Sequence, residues 1–346
     1  NFNNKTLIFN GEIYNYLEIK NELKKKGYIF KTSSDTEVLI KALDFWGINC
    51  VKKLEGMWAF FYHDNKTKIS YLCRDRFGEK PSFYLKNLDE MFFGSEIKYI
   101  KCLYEKQIEI NYDKLENFLR NGYKSLNKNS STHFKKINKV PSGCYLKSKK
   151  NQIQQVKYWD ISYSPVNISE NECIKTLQEK LFKSIELRLR SDFPIAFFLS
   201  GGIDSNTLAF IAKKHFGYNL KTYSIVGNDK MYDESEMIKY SNKFLNADHT
   251  NLRIKLEKKN FIKTLKKQIS YHDSPVTTIN SHLNFLLCQK VKQDGFKVSI
   301  SGIGSDEIFS GYYDHHLLYL NEIKKNREYY LSSKKNWKTL VKPMVR

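Results

Sequence analysis

The chain has 346 residues, enough for two domains that each bury a core. Its 58 Lys and Arg against 37 Asp and Glu leave a net charge of +21, but the excess is Lys spread along the chain rather than one basic stripe, so nucleic-acid binding is not expected and a solvated surface that attracts anionic substrates is. No apolar run nears the ~20 residues of a membrane span, no secretory leader is visible, and the six cysteines show neither zinc-ligand nor disulfide-framework spacing, which suits a reducing cytoplasm.

Leu7-Ile8-Phe9 reads as a short strand ending at Asn10-Gly11, a pair that tolerates positive φ and so suggests a turn. An amphipathic helix follows, with Ile19 and Leu23 one turn apart and Gly27 near its end. Ser34 or Asp35 stands where a cap would, before a second helix with Val38, Leu39, Ala42 and Leu43 on its apolar face. Gly56–Tyr62 and Ile69–Cys73 are aromatic, β-prone runs around a polar turn, as in a hairpin. Arg74–Pro81 is a charged loop. Phe83–Leu85 and Met91–Gly94 give further strands, and Glu96-Ile97-Lys98 begins a helix. The first region is therefore rich in antiparallel strands, with two early helices.

A boundary falls near Tyr158-Trp159-Asp160, before a polar stretch at 162–167. Ser169-Glu170-Asn171-Glu172 is a capping box opening a helix with Ile174, Leu177, Leu181 and Ile185 on one face. The apolar run Ile195–Leu199 then stops at Ser200-Gly201-Gly202-Ile203-Asp204-Ser205. This reads as a buried strand, a tight loop and a helix start. Glycines let backbone N–H groups approach an anion, and the helix dipole and the hydroxyls of Ser200 and Ser205 add to that field. The G-x-x-x-x-G-K-S pattern is absent, so the loop is not a Walker A loop. Asp204 offers oxygen to Mg²⁺.

Strand and helix alternate from there. Lys221–Gly227 reads as a second strand, Asp233-Glu234-Ser235 as a helix start, and Asn251–Ile254 as a third strand. Helices are expected from Lys259 to Tyr271 and from Ser281 to Lys292. Lys297–Ile300 is a fourth strand, ending in Ser301-Gly302-Ile303-Gly304-Ser305-Asp306. Alternation implies a parallel sheet that binds ligand at its carboxyl ends, with both Ser-Gly loops aimed into one crevice. His315 and His316 are adjacent on a helix and diverge, so packing or surface roles are expected rather than a metal site.

Ser200–Ser205 resembles the pyrophosphate loop of the ATP pyrophosphatase superfamily. Phe9–Asn15, Ser34–Glu37, Gly56–Phe60, Arg74–Gly78 and Ser95–Lys98 occur in the order found in class II glutamine amidotransferases. Together they resemble glutamine-hydrolysing asparagine synthetases over nearly the whole chain. The resemblance implies an α+β N-terminal-nucleophile domain, antiparallel sheets between helices, at residues 1–160, then an α/β doubly wound parallel-sheet ATP pyrophosphatase domain at residues 169–346. It implies that Asn10 and Gly11 form an oxyanion hole and, with Glu12 and Asp35, bind glutamine. ATP would meet Leu199, Ser200, Gly201, Gly202, Asp204, Ser205, Ile225, Ser301 and Gly302, with Asp204 and Asp306 holding Mg²⁺. The partners implied are glutamine and aspartate or another carboxylate acceptor, with a homodimer as the expected assembly. The family's nucleophilic Cys would lie upstream of Asn1 and its C-terminal helices beyond Arg346, so the sequence is expected to be a piece lacking both true termini. One departure stands out: many members carry an acidic residue at the position of Ile303, which leaves the acceptor open.

Overall fold

The structure is a computed structural model that describes residues 1–125, 129–227, 233–254 and 258–344. Tyr232, which opens the Tyr-Asp-Glu-Ser segment, and Arg346 lie outside the described residues. By compactness the chain forms two units, Asn1–Arg190 with Lys255–Leu286, and Ser191–Ile254 with Leu287–Arg346.

The first unit opens with β1 (Lys5–Ile13), α1 (Tyr16–Lys24) and α2 (Asp35–Trp46). Then come β2 (Gly56–Asp64), β3 (Ile69–Arg74), β4 (Phe83–Lys86), β5 (Met91–Gly94), α3 (Ile97–Leu103) and α4 (Tyr112–Asn121). It continues with β6 (Ile137–Lys139), β7 (Cys144–Lys149), β8 (Gln152–Lys157) and α5 (Glu170–Arg188). The strands make a five-stranded sheet, β1-β2-β3-β7-β8, and a three-stranded sheet, β5-β4-β6. Every pairing within the two sheets is antiparallel.

Strand alternation sorts the side chains into layers. Trp58, Phe60 and Tyr62 of β2 point one way and join Ile19, Leu23, Val38, Leu39 and Leu43 of the two helices in one buried cluster. Phe61 points the other way and stacks on Phe93 of β5, with ring centroids 4.4 Å apart. Leu72, Val140 and Leu146 fill the space between the sheets around that pair. Ile97 and Ile100 of α3 cover the outer face of the smaller sheet, against Leu85 and Ile137. The result is two antiparallel sheets between helices, as the sequence leads one to expect.

One local expectation is corrected. Asn10-Gly11 is not a turn: β1 runs through it to Ile13, with Gly11 opposite Trp58. A Cβ at Gly11 would lie 2.2 Å from the Met57 carbonyl oxygen. The glycine is there for close strand approach, not for positive φ.

The second unit contains β9 (Ile195–Phe198), α6 (Ile203–Phe210), β10 (Lys221–Val226), α7 (Ser235–Leu245) and β11 (Asp248–Arg253). In the chain α8 (Lys258–His272) and α9 (Ile279–Gln293) follow. Then come β12 (Val298–Ile300), α10 (Ser305–Phe309), α11 (Tyr313–Glu322) and α12 (Arg327–Asn336). The four strands form one sheet in the order β11-β10-β9-β12, with every pair parallel. Ala196 and Tyr223 of the sheet pack with Leu287 and Val291 of α9. Strands β9 to β11 step one way and β12 lies on the opposite side of β9. The strand order therefore reverses between β9 and β12, and that switch point is where open parallel sheets bind ligands.

Candidate functional site

In the second unit the two Ser-Gly loops follow the two strands that flank the switch point. They are in contact: a Cβ at Gly302 would lie 3.0 Å from the Ser205 nitrogen and 3.1 Å from Cβ of Asp204. A side chain there would press on the first loop, and glycine avoids it. Ser200, Gly201, Gly202, Asp204, Ser205, Ser301 and Gly302 are thus gathered at one place.

The first loop is held from within. The Ser200 N–H donates to Ser205 Oγ at 3.0 Å, and the Gly202 N–H donates to Ser200 Oγ at 3.1 Å. The two hydroxyls lie 3.0 Å apart. Asn206 Nδ2 donates to the carbonyls of Ser200 at 2.9 Å and Gly202 at 2.7 Å. The Gly201 N–H donates to the Glu234 carboxylate at 2.8 Å. The sequence suggests that these N–H groups face an anion; three of them are bonded inside the protein instead.

The remaining residues surround this loop differently. Leu199 is nearly fully buried; its N–H donates to the Tyr223 carbonyl and its own carbonyl accepts the Ser224 hydroxyl. Ile225 is half-buried beside Leu252 in the sheet's core cluster. Ile303 is exposed on the second loop. Asp204 lies in the first turn of α6 and Asp306 in the first turn of α10. A Cβ at Gly311 would lie 1.5 Å from Asp306 Oδ1, so the carboxylate rests against a bare Cα. Among the described residues no group of three His, Cys, Asp or Glu is placed to hold a metal. Two carboxylates on abutting loops fit Mg²⁺ only with oxygens supplied by a bound phosphate, which is how that ion is commonly held.

In the first unit, Asn10 and Glu12 share one face of β1, and Asn10 is exposed. Asn10 Nδ2 donates to Ser95 Oγ at 2.9 Å. An amide nitrogen carries two hydrogens, so one bond fixes the group and leaves the other to give. Ser34, not Asp35, caps α2, accepting from the Thr36 N–H. Asp35 instead accepts the Ile13 N–H at 3.0 Å, which ties the start of α2 to the end of β1. Charges of both signs act on Tyr14, two residues from Glu12. Burial pushes the Tyr14 hydroxyl up to about 12; Arg188 opposes this, and Glu79, Glu12 and Asp75 add to it. Burial also raises the Glu79 carboxyl, with the Asp75 charge adding to it. A cavity of about 830 Å³ lies elsewhere on this unit, lined by Phe2, Tyr28, Glu37, Lys41 and Asp44 among others; Asn10, Gly11, Glu12 and Asp35 do not line it.

Sequence reading misses four of these groups. Ser95, Glu79 and Asp75 sit in segments whose order is informative but whose partners are set by the tertiary fold. Glu234 lies thirty-three residues from Gly201, and no local pattern joins them.

A two-sheet antiparallel unit and a parallel sheet with paired Ser-Gly loops at its switch point define a two-part protein, an amidotransferase-type fold with a parallel-sheet α/β fold. Residues 1–159 match the glutamine amidotransferase domain family. Residues 176–345 match the asparagine synthase family. Asparagine synthetase [glutamine-hydrolyzing] 1 of Bacillus subtilis is 31% identical over 306 residues, covering 88% of this chain and 47% of that protein. Putative asparagine synthetase [glutamine-hydrolyzing] 2 of Methanocaldococcus jannaschii is 31% identical over 317 residues, covering 89% and 59%. A protein named amidase chyE, from Penicillium rubens, is 27% identical over 325 residues, covering 88% and 47%. The chain belongs to the glutamine-hydrolysing asparagine synthetase family, with an amidotransferase domain ahead of a synthase domain. It spans about half the length of the curated relatives it matches.

Proposed function

We propose that the chain carries the glutamine-hydrolysing and adenylating parts of a glutamine-dependent asparagine synthetase. In this reading ammonia from glutamine amidates the side-chain carboxylate of aspartate, giving asparagine, glutamate, AMP and pyrophosphate. The observation that carries it is the contact of the Ser200–Ser205 and Ser301–Asp306 loops at the sheet's switch point, Gly302 against Asp204 and Ser205.

In the first unit, Asn10 and Gly11 would stabilise the oxyanion of the tetrahedral intermediate, with Ser95 holding the Asn10 amide in place. Glu12 and Asp35 would take the glutamine ammonium. In the second unit, Ser200, Gly201, Gly202 and Ser205 would hold the phosphates of ATP, with Ser301 and Gly302 facing them. Leu199 and Ile225 would bound the adenine. Asp204 and Asp306 would hold Mg²⁺, which when bound offsets charge developing on the phosphates. The six free cysteines, with Cys50, Cys73 and Cys144 buried, suit a cytoplasmic setting. Among the described residues no helix is long and apolar enough to cross a membrane.

Ile303 motivates a second reading, in which the acceptor is a different carboxylate, such as an acidic sugar in surface-polysaccharide assembly. Its exposed side chain can neither accept a proton nor bind an ammonium. The deciding test is AMP and pyrophosphate release by the full-length protein with Mg-ATP and glutamine, with and without aspartate. Aspartate-dependent release with asparagine formed supports the first reading. Glutamine hydrolysis with no aspartate response sinks it and turns the search to sugar carboxylates.

A further inference from the structure

Glu234 occupies the N-cap position of α7, yet its side chain caps nothing there. The neighbouring Asp233 serves the local turn instead, accepting the Ser235 N–H at 3.0 Å. The Glu234 carboxylate reaches across to the phosphate loop and accepts the Gly201 N–H at 2.8 Å. A Cβ at Gly201 would lie 3.2 Å from Cβ of Glu234 and 3.2 Å from Cβ of Met237. The loop therefore lies close against the start of α7.

A carboxylate is an odd partner for a loop of this kind. The Gly201 N–H is one of the donors that a Ser-Gly-Gly loop offers to a phosphate oxygen. Two anionic oxygens cannot share one N–H at hydrogen-bond distance without strong repulsion. Glu234 is exposed, so its side chain has open solvent to swing into.

We propose that Glu234 is a counter-ligand built into the phosphate loop: it holds the Gly201 N–H, yields it to an arriving phosphate and so sets the loop's affinity for pyrophosphate. The proposal rests on reading Ser200–Ser205 as a phosphate site. A bond to a charged acceptor is roughly twice as strong as a neutral one. Glu234→Gln keeps an acceptor oxygen of the same reach but removes the charge. The amide competes less well for the N–H and no longer repels the ligand. A weak hold on pyrophosphate favours its release, so the carboxylate would aid turnover while costing affinity.

The test is titration calorimetry of the chain with sodium pyrophosphate, with and without Mg²⁺. Glu234→Gln is expected to bind about tenfold tighter than the parent, which lies between the bulk-water and protein-surface scales for removing one charge about 4 Å from an anion. Asp233→Asn, which removes a charge next door, is expected to change binding less than about twofold. An unchanged melting temperature without ligand establishes that the variants are folded. Equal or weaker binding by Glu234→Gln, with the parent binding normally, overturns the proposal and leaves the phosphate reading standing. Binding by neither protein overturns both.

Discussion

Asp75 illustrates how a single side chain organises a segment that looks like a plain charged loop. It is fully buried, and its carboxylate accepts the N–H groups of Trp58 at 3.3 Å, Phe77 at 3.1 Å, Glu79 at 2.9 Å and Lys80 at 2.9 Å. Arg74 holds the same loop from the other side, donating to the carbonyls of Lys80, Gly78 and Val140. Gly78 sits at φ +69° against that guanidinium, a conformation and a clearance that suit glycine. Asp75→Asn would turn part of this acceptor into a donor facing donors. The expected loss is about 3 kcal/mol of stability, the usual scale for leaving buried polar groups unpaired. Urea denaturation measures it; a loss under about 1 kcal/mol would mean that Arg74 alone holds the loop. The residue types Arg-Asp-Arg were legible in the sequence. Which N–H groups a buried carboxylate collects was not, because Trp58 reaches it only through the β2–β3 pairing.

At the scale of elements, the hydrophobic period located β1 to β5, β9 to β12 and most of the helices, because the same alternation that marks a strand also sorts its side chains between layers, while α4, β6, β7, β8 and α12 went unread. It failed at Asn10-Gly11, where glycine serves close strand packing and local turn preference gives the wrong answer. It failed in part on α5, whose Ile174 and Leu177 are exposed while Ile185 is buried; a helical stripe does not say which turns find a partner. The start of α2 shows what local pattern cannot reveal. Glu37 accepts the Lys31 N–H, the Thr32 N–H and the Thr32 hydroxyl, and pairs with Lys41. Burial pushes its carboxyl up, but the bonds from Lys41, Lys31 and Thr32 outweigh that and bring it down from 4.5 to about 2. A carboxyl lowered by folding contributes stability that is complete above its unfolded value and lost as pH falls through the folded one. Stability should therefore drop between pH 4.5 and pH 2 in the parent, and Glu37→Gln should flatten that part of the profile. Chemical denaturation at a series of pH values checks this. An unchanged slope would assign the acid sensitivity to other carboxylates.

For the molecule as a whole, the alternation of strand and helix foretold a parallel sheet, because crossover connections leave few other topologies. The strand order, and so the switch point, emerges only when β12 is seen on the far side of β9. The net charge of +21 is a property of no single element. The candidate phosphate loop itself offers no lysine: Ser200 to Ser205 contains only hydroxyls, glycines, Ile203 and Asp204. Long-range attraction of a polyanion must then come from the lysines distributed over the surface, acting together as a field. Such a field is screened within about 8–10 Å at physiological salt, whereas contacts made inside the loop are much less affected. The association rate of a fluorescent ATP analogue should fall severalfold between about 20 mM and about 200 mM salt, with its dissociation rate nearly constant. Stopped-flow mixing separates the two rates. A salt effect on dissociation alone would place the relevant charge inside the site, and a flat association rate would leave the basic surface as a solvated coat with no part in drawing the nucleotide in.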